Sequence, residues 1–283
     1  MKIAVLGGTG FIGRALCVRL AAEGAEAAAL SRISSLAEWR SALKGAEAVV
    51  NLAGAPVAKS RWTARRKAEL SDSRIALTRR LVAEMSDFRP RTFVSASAVG
   101  YYGARGEEEL VESSPAGHDF LAGLCLAWEA EARRAEAFGA RTICLRLGLV
   151  VGRGGGALAE MLPFFSLGLG GPLGSGRQWM SWISLEDATG LIVHLLRAEA
   201  SGAVNATAPN PVRNREFAAA LGRALHRPAL IPAPALALRW ALGERSALLL
   251  GGQMVLPALA LKSGYSFKHP ELAPALAPAL GRG

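Results

Sequence analysis

Three evenly spaced glycines open the chain and could hold a diphosphate. Gly7, Gly10 and Gly13 follow directly on the apolar run Ile3 to Leu6, and the amphipathic run Arg14 to Glu23 comes next. Glycines allow a sharp turn and let backbone N–H groups approach a phosphate at the N-terminus of a helix. A purely structural turn is the alternative. The position between a predicted strand and a predicted helix favours a dinucleotide site.

The end of the second predicted strand distinguishes between the two nicotinamide dinucleotides. The strand Glu26 to Leu30 is followed by Ser31 and Arg32, with no acidic residue at this point. An acidic residue would accept a hydrogen bond from the ribose 2′-hydroxyl, whereas an arginine pairs with a 2′-phosphate. A solvated loop arginine is the alternative. The sequence predicts NADP(H), with Ser31 adding a hydrogen bond.

Strands and helices alternate through the first 150 residues. Further strands are predicted at Glu47 to Ala53, Arg91 to Ser97 and Arg141 to Leu147, with helices after Thr63 and over Phe120 to Phe138. This order predicts an α/β Rossmann fold, a doubly wound parallel sheet with helices on both faces. Ligands of such sheets bind at the carboxyl ends of the strands. The further predicted cofactor contacts are Thr9, Phe11, Ile12, Asn51, Leu52, Ala53, Gly54, Ser95, Ala96, Leu147, Gly148 and Leu149.

The second half of the chain has a different composition. Glycine-rich stretches come first, then a helix at Leu185 to Arg197 with Ser184 as its N-cap, and a last strand at 203–205. From residue 207 onward Ala, Leu and Pro predominate, which predicts short apolar helices. We therefore predict a Rossmann domain over 1–160 with about 184–206. A smaller, mostly helical lobe over about 161–183 and 207–283 would cover the substrate side.

Composition and charge narrow the function classes. The net charge is +10, but the basic residues are scattered in small clusters such as 65–67 and 79–80, typical of solvated helix faces, so no specific nucleic-acid partner is expected. We expect no membrane span and no metal site, because the apolar runs are broken and the four histidines lie far apart. The early strand leaves no room for a signal peptide, and three separated cysteines suit a reducing compartment, so a cytoplasmic location is expected. A small-molecule substrate is the expected partner, and a homodimer is compatible with the sequence.

The chain resembles the extended short-chain dehydrogenase/reductase superfamily, and within it the atypical epimerase family. The resemblance spans nearly the whole chain, including the region near the C-terminus. It implies a Rossmann core, bound NADP(H) and a substrate cleft shared with the C-terminal lobe. The matching stretches include GGTGFIG, NLAGAPV, SASAVGYYG, DFLAGLCLAWE, LRLGLVVG and GLGGPLGSGRQWMSWI.

Two features depart from the superfamily pattern. Only about fifteen residues separate Arg32 from the strand at Glu47, which is short for a further strand and its connections. Typical members also carry a Tyr and a Lys four residues apart on one helix, as proton donor and ribose ligand. No Tyr-x-x-x-Lys occurs in this chain, and the corresponding helix positions are Leu121 and Cys125. The usual catalytic pair is therefore absent.

Three hydroxyl groups remain as catalytic candidates. The resemblance places Ser97 where the superfamily binds the reacting oxygen of the substrate, although a serine satisfying a strand end is the alternative. Tyr101 or Tyr102 could donate a proton from the following loop, although a packed aromatic is the alternative. Residues before and along the helix after Thr63 could contact an anionic substrate or a cofactor phosphate, although a helix anchored by surface ion pairs is the alternative; they are Arg61, Trp62, Arg66, Lys67, Ser73 and Arg74. The stretch 174–178, followed by Trp179 and Trp182, could form a flexible rim over the nicotinamide end, although a simple connecting loop is the alternative.

Two functions follow from these features. The first is an NADP(H)-dependent oxidoreductase or epimerase acting on a small, anionic substrate near Ser97. The second is a non-catalytic module that binds or senses NADPH, which the missing Tyr and Lys favour. Whether the chain is an enzyme stays open at this point.

Overall fold

Six parallel strands form the central sheet of the computed structural model, which describes residues 1–281. In chain order they are β1 (Lys2–Leu6), β2 (Glu26–Leu30), β3 (Ala48–Asn51), β4 (Thr92–Ala98), β5 (Arg141–Leu147) and β6 (Gly202–Ala206). Across the sheet the order is β6-β5-β4-β3-β1-β2, and every neighbouring pair is parallel. The predicted parallel α/β sheet is confirmed.

Helices cover both faces of the sheet because its strands are apolar on both sides. Ile3 and Val5 point into one core, whereas Ala4 and Leu6 point into the other, as the alternation of side chains along a strand requires. The first core contains residues of α1 and α7, and the second contains residues of α2 and α4. The helices are α1 (Phe11–Ala22), α2 (Leu36–Leu43), α3 (Ala64–Ser71), α4 (Leu77–Phe88), α5 (Phe120–Arg133), α6 (Gly156–Ser166), α7 (Leu185–Arg197), α8 (Asn214–Leu225), α9 (Ala235–Leu242), α10 (Ala247–Leu250), α11 (Ala258–Lys262) and α12 (Leu272–Ala279).

Strand β2 lies at the edge of the sheet. The short interval before β3 holds only helix α2, which begins with a capping box. Ser35 Oγ accepts from the Glu38 amide at 3.3 Å, and the Glu38 carboxylate accepts from the Ser35 amide at 2.6 Å. The interval is therefore too short for another strand, as expected. The predicted strand Glu47 to Ala53 is shorter than expected, since the chain leaves the sheet after Asn51.

Helices α3 and α4 are continuous through a π-helical turn. Thr63 caps α3, with its side chain accepting from the Arg66 amide, as predicted. The turn covers Asp72–Ala76 and was not predicted from the sequence. Leu70, Leu81 and Met85 are buried along the helix, as the predicted apolar stripe requires.

The C-terminal region packs against α7 and the last sheet strand. Its own core joins α6, α8 and α12, while α11 contacts β6. No helix in the described part of the chain is long and apolar enough to span a membrane. Residues 1–281 also hold no cluster of His, Cys, Asp or Glu suited to a metal ion. The boundaries of the two predicted domains stay a prediction.

Candidate functional site

The turn after β1 requires glycine at two positions. Gly7 has a φ of +84°, and a Cβ there would lie 2.8 Å from the Ala53 backbone nitrogen. A Cβ on Gly13 would lie 2.1 Å from the Gly7 carbonyl oxygen. Helix α1 begins after the N-cap Gly10, and no side chain among residues 1–281 caps it. The first amides of α1 therefore stay available to an anion at a helix N-terminus.

The predicted contact residues are brought to one edge of the sheet. Strand pairing aligns Leu6 with Leu30 and Asn51, and Ala98 with Leu147. Since all strands are parallel, the segments that follow them meet at the carboxyl edge. These segments contain Gly7 to Gly13, Ser31 and Arg32, Leu52 to Gly54, and Gly148 with Leu149. Phe11 lies against the loop at 152–156, where a Cβ on Gly155 would be 2.5 Å from its ring.

A cleft of about 610 Å³ lies between Arg32 and the helices α3 and α4. Arg65 and Arg80 share this cleft with Arg32, and none of the three forms a salt bridge within residues 1–281. Arg65 and Arg80 are not predicted from the sequence as site residues, because their clusters resemble ordinary solvated helix faces. The cleft is lined by Arg32, Arg65, Ala68, Glu69, Asp72, Ser73, Ala76, Leu77 and Arg80.

The acidic residues of this cleft do not neutralise its arginines fully. Glu69 pairs with Arg66 at 2.6 Å, and this hydrogen bond lowers the pKa of Glu69. Asp72 is the other carboxylate on the lining. Ser31 is half-buried, and its hydroxyl accepts from the Ile33 amide at 3.3 Å. The cleft therefore presents a surplus of positive charge beside the end of β2.

A buried polar network lies beneath the end of β4. Arg146 binds both carboxylate oxygens of Glu129, with Nε–Oε1 at 2.8 Å and Nη2–Oε2 at 2.9 Å. Ser97 Oγ donates to Glu129 at 2.7 Å, and Tyr102 donates to Asn205 at 2.7 Å while accepting from Arg146 at 2.9 Å. Burial alone would lower the pKa of Arg146, but the Glu129 carboxylate raises it. The guanidinium therefore remains charged.

This network contains two of the three predicted catalytic hydroxyls. Ser97 is 2% exposed and Tyr102 is fully buried, so neither side chain lies open to a substrate. Tyr101 is half-buried and its hydroxyl makes no hydrogen bond within residues 1–281, while its ring lies 3.4 Å from the Arg146 guanidinium carbon. A catalytic role stays a prediction for all three, and the geometry favours Tyr101.

Two predicted cofactor contacts have fully or almost fully buried side chains. Asn51 is fully buried and donates to Thr78 Oγ1 at 2.9 Å, which also accepts from Trp128 at 2.9 Å. Ser95 is 1% exposed, and its hydroxyl has no partner within residues 1–281. Contact of Asn51 and Ser95 with a cofactor therefore stays a prediction, with both side chains buried in this structure.

Helix α5 presents no proton donor at the positions of the usual pair. Leu121 packs against Gly100, and Cys125 directs its thiol to the Ala98 carbonyl at 3.7 Å. Burial raises the pKa of Cys125 to about 11, so the thiol stays protonated at neutral pH. The inference from sequence that these two positions cannot replace Tyr and Lys agrees with this geometry.

Several residues considered for an anionic substrate bind the C-terminal region instead. Arg61 donates to the carbonyls of Trp240 and Ala241, and Lys67 pairs with Glu244 at 2.5 Å. The Trp179 indole donates to Glu107 at 3.1 Å. These contacts fasten α3 and the segment at Trp179 to neighbouring segments, and a role in substrate contact stays a prediction.

Comparison with known proteins identifies the family. The sequence model of the NAD dependent epimerase/dehydratase family matches residues 3–207. The chain belongs to this family. A second model, a domain of unknown function called DUF1731, matches residues 233–279. The expected resemblance to the epimerase family is thereby confirmed.

Relatives within the epimerase family match along almost the whole chain. The Arabidopsis thaliana protein called epimerase family protein SDR39U1 homolog, chloroplastic, is 42% identical to this chain. The match covers 98% of this chain and 86% of that relative. Human epimerase family protein SDR39U1 is 39% identical, with 98% of each chain covered. Bacillus subtilis epimerase family protein YfhF is 38% identical, with 96% and 95% covered.

Solved structures confirm the Rossmann fold. A crystal structure of human SDR39U1 (isoform 2) with NADPH matches with a TM-score of 0.89 and 36% identity, over 99% of both chains. MoeE5 in complex with UDP-glucose and NAD matches with a TM-score of 0.79 at 18% identity, which shows the likeness of fold alone.

Proposed function

We propose that this epimerase-family protein binds NADP(H) and transfers hydride between the nicotinamide and a small, anionic substrate. The observation that carries the proposal is the opening turn, where backbone occupies the space of a Cβ at Gly7 and Gly13. Such a cradle suits a diphosphate that must approach the backbone closely. The NADPH in the human relative's structure supports the same cofactor.

The residues of the carboxyl edge fit the phosphate groups of NADP(H). The free amides at the start of α1 would hold the diphosphate, and Arg32 would pair with the 2′-phosphate. Arg65 and Arg80 lie on the same cleft and add positive charge for that phosphate. No acidic residue follows β2 within the segment 31–35 to accept the hydroxyl of an unphosphorylated ribose. These features favour NADP(H) over NAD(H).

The chain itself would orient the substrate beside the nicotinamide and exchange one proton with it. When bound, nicotinamide supplies or accepts a hydride. Tyr101 would exchange the proton with the substrate oxygen, because its hydroxyl is unpaired within residues 1–281 and its ring stacks on a cation. The Glu129–Arg146 pair holds that cation in place. The buried hydroxyl of Ser97 would position the strand end rather than react.

A second function is a non-catalytic NADPH-binding or sensing module. One observation favours it: Leu121 and Cys125 replace the usual proton donor and lysine, and the Cys125 thiol is 3% exposed. The sensing function needs the same cofactor site, so it differs from the first only in turnover.

One experiment tests cofactor binding and turnover together. NADPH and NADH are titrated by fluorescence into the wild type, Arg32→Asp, and the control Arg91→Asp, which makes the same charge change at the exposed start of β4. Arg32→Asp should weaken NADPH about 10- to 100-fold, as for loss of a charge-assisted hydrogen bond, with little change for NADH. Equal losses of both nucleotides would refute the 2′-phosphate role.

The same preparations are then mixed with NADPH and a library of small carbonyl compounds. Loss of absorbance at about 340 nm selects the oxidoreductase, and Tyr101→Phe should slow that loss while leaving the NADPH affinity unchanged. Tight NADPH binding without any consumption selects the sensing module. If the folded wild-type protein binds no NADPH, both the oxidoreductase and the sensing function are refuted.

A further inference from the structure

Helix α9 has an apolar sequence but buries none of its residues. Ala235–Leu242 contains three leucines and one tryptophan, and no side chain of this helix is buried. Leu236 and Trp240 are 79% and 83% exposed, and their spacing of four residues places them on one side of the helix. Helices of this composition normally pack an apolar stripe into a core. Within residues 1–281 this side of α9 has no such partner.

The segment before α9 extends the exposed apolar residues to the end of α6. The Ile231 amide donates to the Gly170 carbonyl at 3.2 Å, so the stretches 164–171 and 228–233 lie side by side. Exposed apolar residues are common singly, but a concentration of them marks contact with another molecule or a membrane. These two stretches and α9 hold seven of the fourteen large apolar side chains that residues 1–281 expose. We call the seven the apolar surface: Phe164, Leu167, Leu169, Leu230, Ile231, Leu236 and Trp240.

The charge around the apolar surface is mainly positive. The stretches 161–185 and 217–243 contain no Asp or Glu, and Glu160, one turn before Phe164, is the nearest carboxylate along the chain. Two arginines line the same hollow as Leu230, and a third lies on α9. None of the three forms a salt bridge within residues 1–281. These arginines are Arg223, Arg227 and Arg239.

We propose that the apolar surface docks on an anionic lipid bilayer. Apolar side chains flanked by arginines enter the boundary between headgroups and acyl chains, while the guanidinium groups meet lipid phosphates. A tryptophan suits this boundary, because its ring is apolar and its indole N–H is polar. The protein would lie on the bilayer without crossing it, since no helix within residues 1–281 is long and apolar enough to span a membrane.

Charge and shape disfavour two other occupants of this surface. A second copy related by a twofold axis would bring the same arginines face to face, and like charges at an interface are unfavourable. An acidic peptide would match the charge, but an amphipathic peptide binds by laying its apolar face into a groove. Leu230, Leu236 and Trp240 instead project into solvent, with 82%, 79% and 83% of their surface exposed. Projecting side chains of this kind can enter a bilayer directly.

The test measures co-sedimentation of the full-length protein with lipid vesicles. The wild type should bind vesicles of phosphatidylcholine with phosphatidylglycerol, and should bind much less to phosphatidylcholine alone. Leu236→Ser combined with Trp240→Ser should weaken binding to the anionic vesicles at least about 10-fold, because two apolar side chains no longer enter the bilayer. The matched control, Val18→Ser combined with Leu126→Ser, removes two exposed apolar side chains from α1 and α5 and should bind like the wild type. Circular dichroism checks that each variant is folded.

The contribution of charge is measured in the same assay. Arg223→Gln combined with Arg227→Gln should weaken binding about 10- to 30-fold, since each arginine near an anionic bilayer contributes a factor of about five. The control Arg89→Gln combined with Arg91→Gln removes the same charge from the exposed segment before β4. It should change binding less than about threefold.

Fluorescence quenching locates the contact independently. Trp240 is the one strongly exposed tryptophan within residues 1–281, so lipids brominated in the acyl chain should quench it on anionic vesicles. Trp240→Phe keeps an apolar ring, and should still sediment with these vesicles while losing most of the quenching. This variant decides the question even if the serine variants fail to fold.

Several results would overturn the inference. One is a folded wild type that does not sediment with the anionic vesicles, and another is an equal loss of binding in the surface variants and their controls. Quenching that persists in Trp240→Phe would place the contact elsewhere. A wild-type dimer that binds no vesicles, and that Leu236→Ser combined with Trp240→Ser converts to monomers, would identify a second copy as the occupant. None of these measurements depends on NADPH, so their failure leaves the proposed function untouched.

Discussion

Arg74 is buried, donates to the Ala55 carbonyl and forms no salt bridge within residues 1–281. Its free charge destabilises the protein before any ligand binds. Burial lowers the pKa of Arg74 to about 10; Cys125 acts in the opposite direction, and Arg32 and Arg66 lower it further. A base whose folded-state pKa lies below its unfolded value favours unfolding while it is charged. This penalty is complete below about pH 10 and is relieved as the pH rises from there toward the unfolded pKa. At neutral pH the penalty is therefore fully present.

Replacing Arg74 by the uncharged Met should stabilise the ligand-free protein. We expect Arg74→Met to raise the free energy of unfolding at pH 7 by about 1–3 kcal/mol, because one pKa unit corresponds to about 1.4 kcal/mol and the hydrogen bond to Ala55 is lost. The gain should shrink above about pH 10. Urea unfolding at several pH values measures it, with Arg79→Met as control. A loss of stability at pH 7 would show that the neutral hydrogen bonds outweigh the buried charge.

The sequence predicts those site residues whose role depends on their neighbours along the chain. The glycine turn and Arg32 depend only on their neighbours along the chain, so the sequence alone predicts them. The sequence also predicts Ser97 and Tyr102 as catalytic groups, but their partners Glu129 and Asn205 are 32 and 103 residues away. No spacing rule reveals such contacts. Residue type alone therefore finds a hydroxyl without showing whether it is buried.

Helix α7 and the C-terminal segment are joined by one buried carboxylate. Asp187 is 1% exposed, and its oxygens accept from the backbone amides of Lys268 at 2.7 Å and His269 at 2.9 Å. It also accepts from Ser184 Oγ at 2.7 Å and from the Tyr265 hydroxyl at 3.1 Å. One side chain thus binds the N-cap residue of α7 and holds the segment before α12.

Removing this carboxylate should release the C-terminal segment. Asp187→Ala should lower the free energy of unfolding by about 3–5 kcal/mol, since four donors lose a buried, charged acceptor. Hydrogen exchange should increase at 263–271 before it does in the sheet. The matched control is Glu186→Ala, whose exposed pairs with Lys268 and His269 contribute less than about 1 kcal/mol. Equal effects of the two substitutions would contradict the proposed link.

Element boundaries were predictable where a cap and an apolar pattern coincide. Strand β5 and helix α7 match their predicted ranges residue for residue, because β-branched and apolar residues define the strand and Ser184 caps the helix. The π-helical turn Asp72–Ala76 carries no such signal, since its sequence DSRIA is equally compatible with a regular α-helix. In the folded protein this turn packs against α5. Such a departure from the regular α-helix becomes visible only in three dimensions.

The fold determines where the excess positive charges of the molecule lie. In the sequence the arginines of clusters 65–67 and 79–80 look alike, but the fold directs Arg65 and Arg80 into one cleft and Arg79 to a surface pair. The C-terminal region is fastened beside this cleft, where Glu244 pairs with Lys67. The fold thus separates cations that line the cleft from cations that pair with carboxylates elsewhere in the protein. Charge counted along the sequence cannot make this distinction.

Because these arginines share one cleft, the affinities for NADPH and NADH should depend differently on salt. Raising the salt from about 0.1 M to 1 M shortens the screening length from about 10 Å to about 3 Å. We expect the dissociation constant of NADPH to rise several-fold, because its 2′-phosphate would face Arg32, Arg65 and Arg80. The constant for NADH should change less than about twofold, because backbone amides hold the group that both nucleotides share. Calorimetry at the two salt concentrations measures both, and Arg32→Asp should remove most of the difference. If the dissociation constants of NADPH and NADH rise by the same factor with salt, the three arginines do not contact the 2′-phosphate.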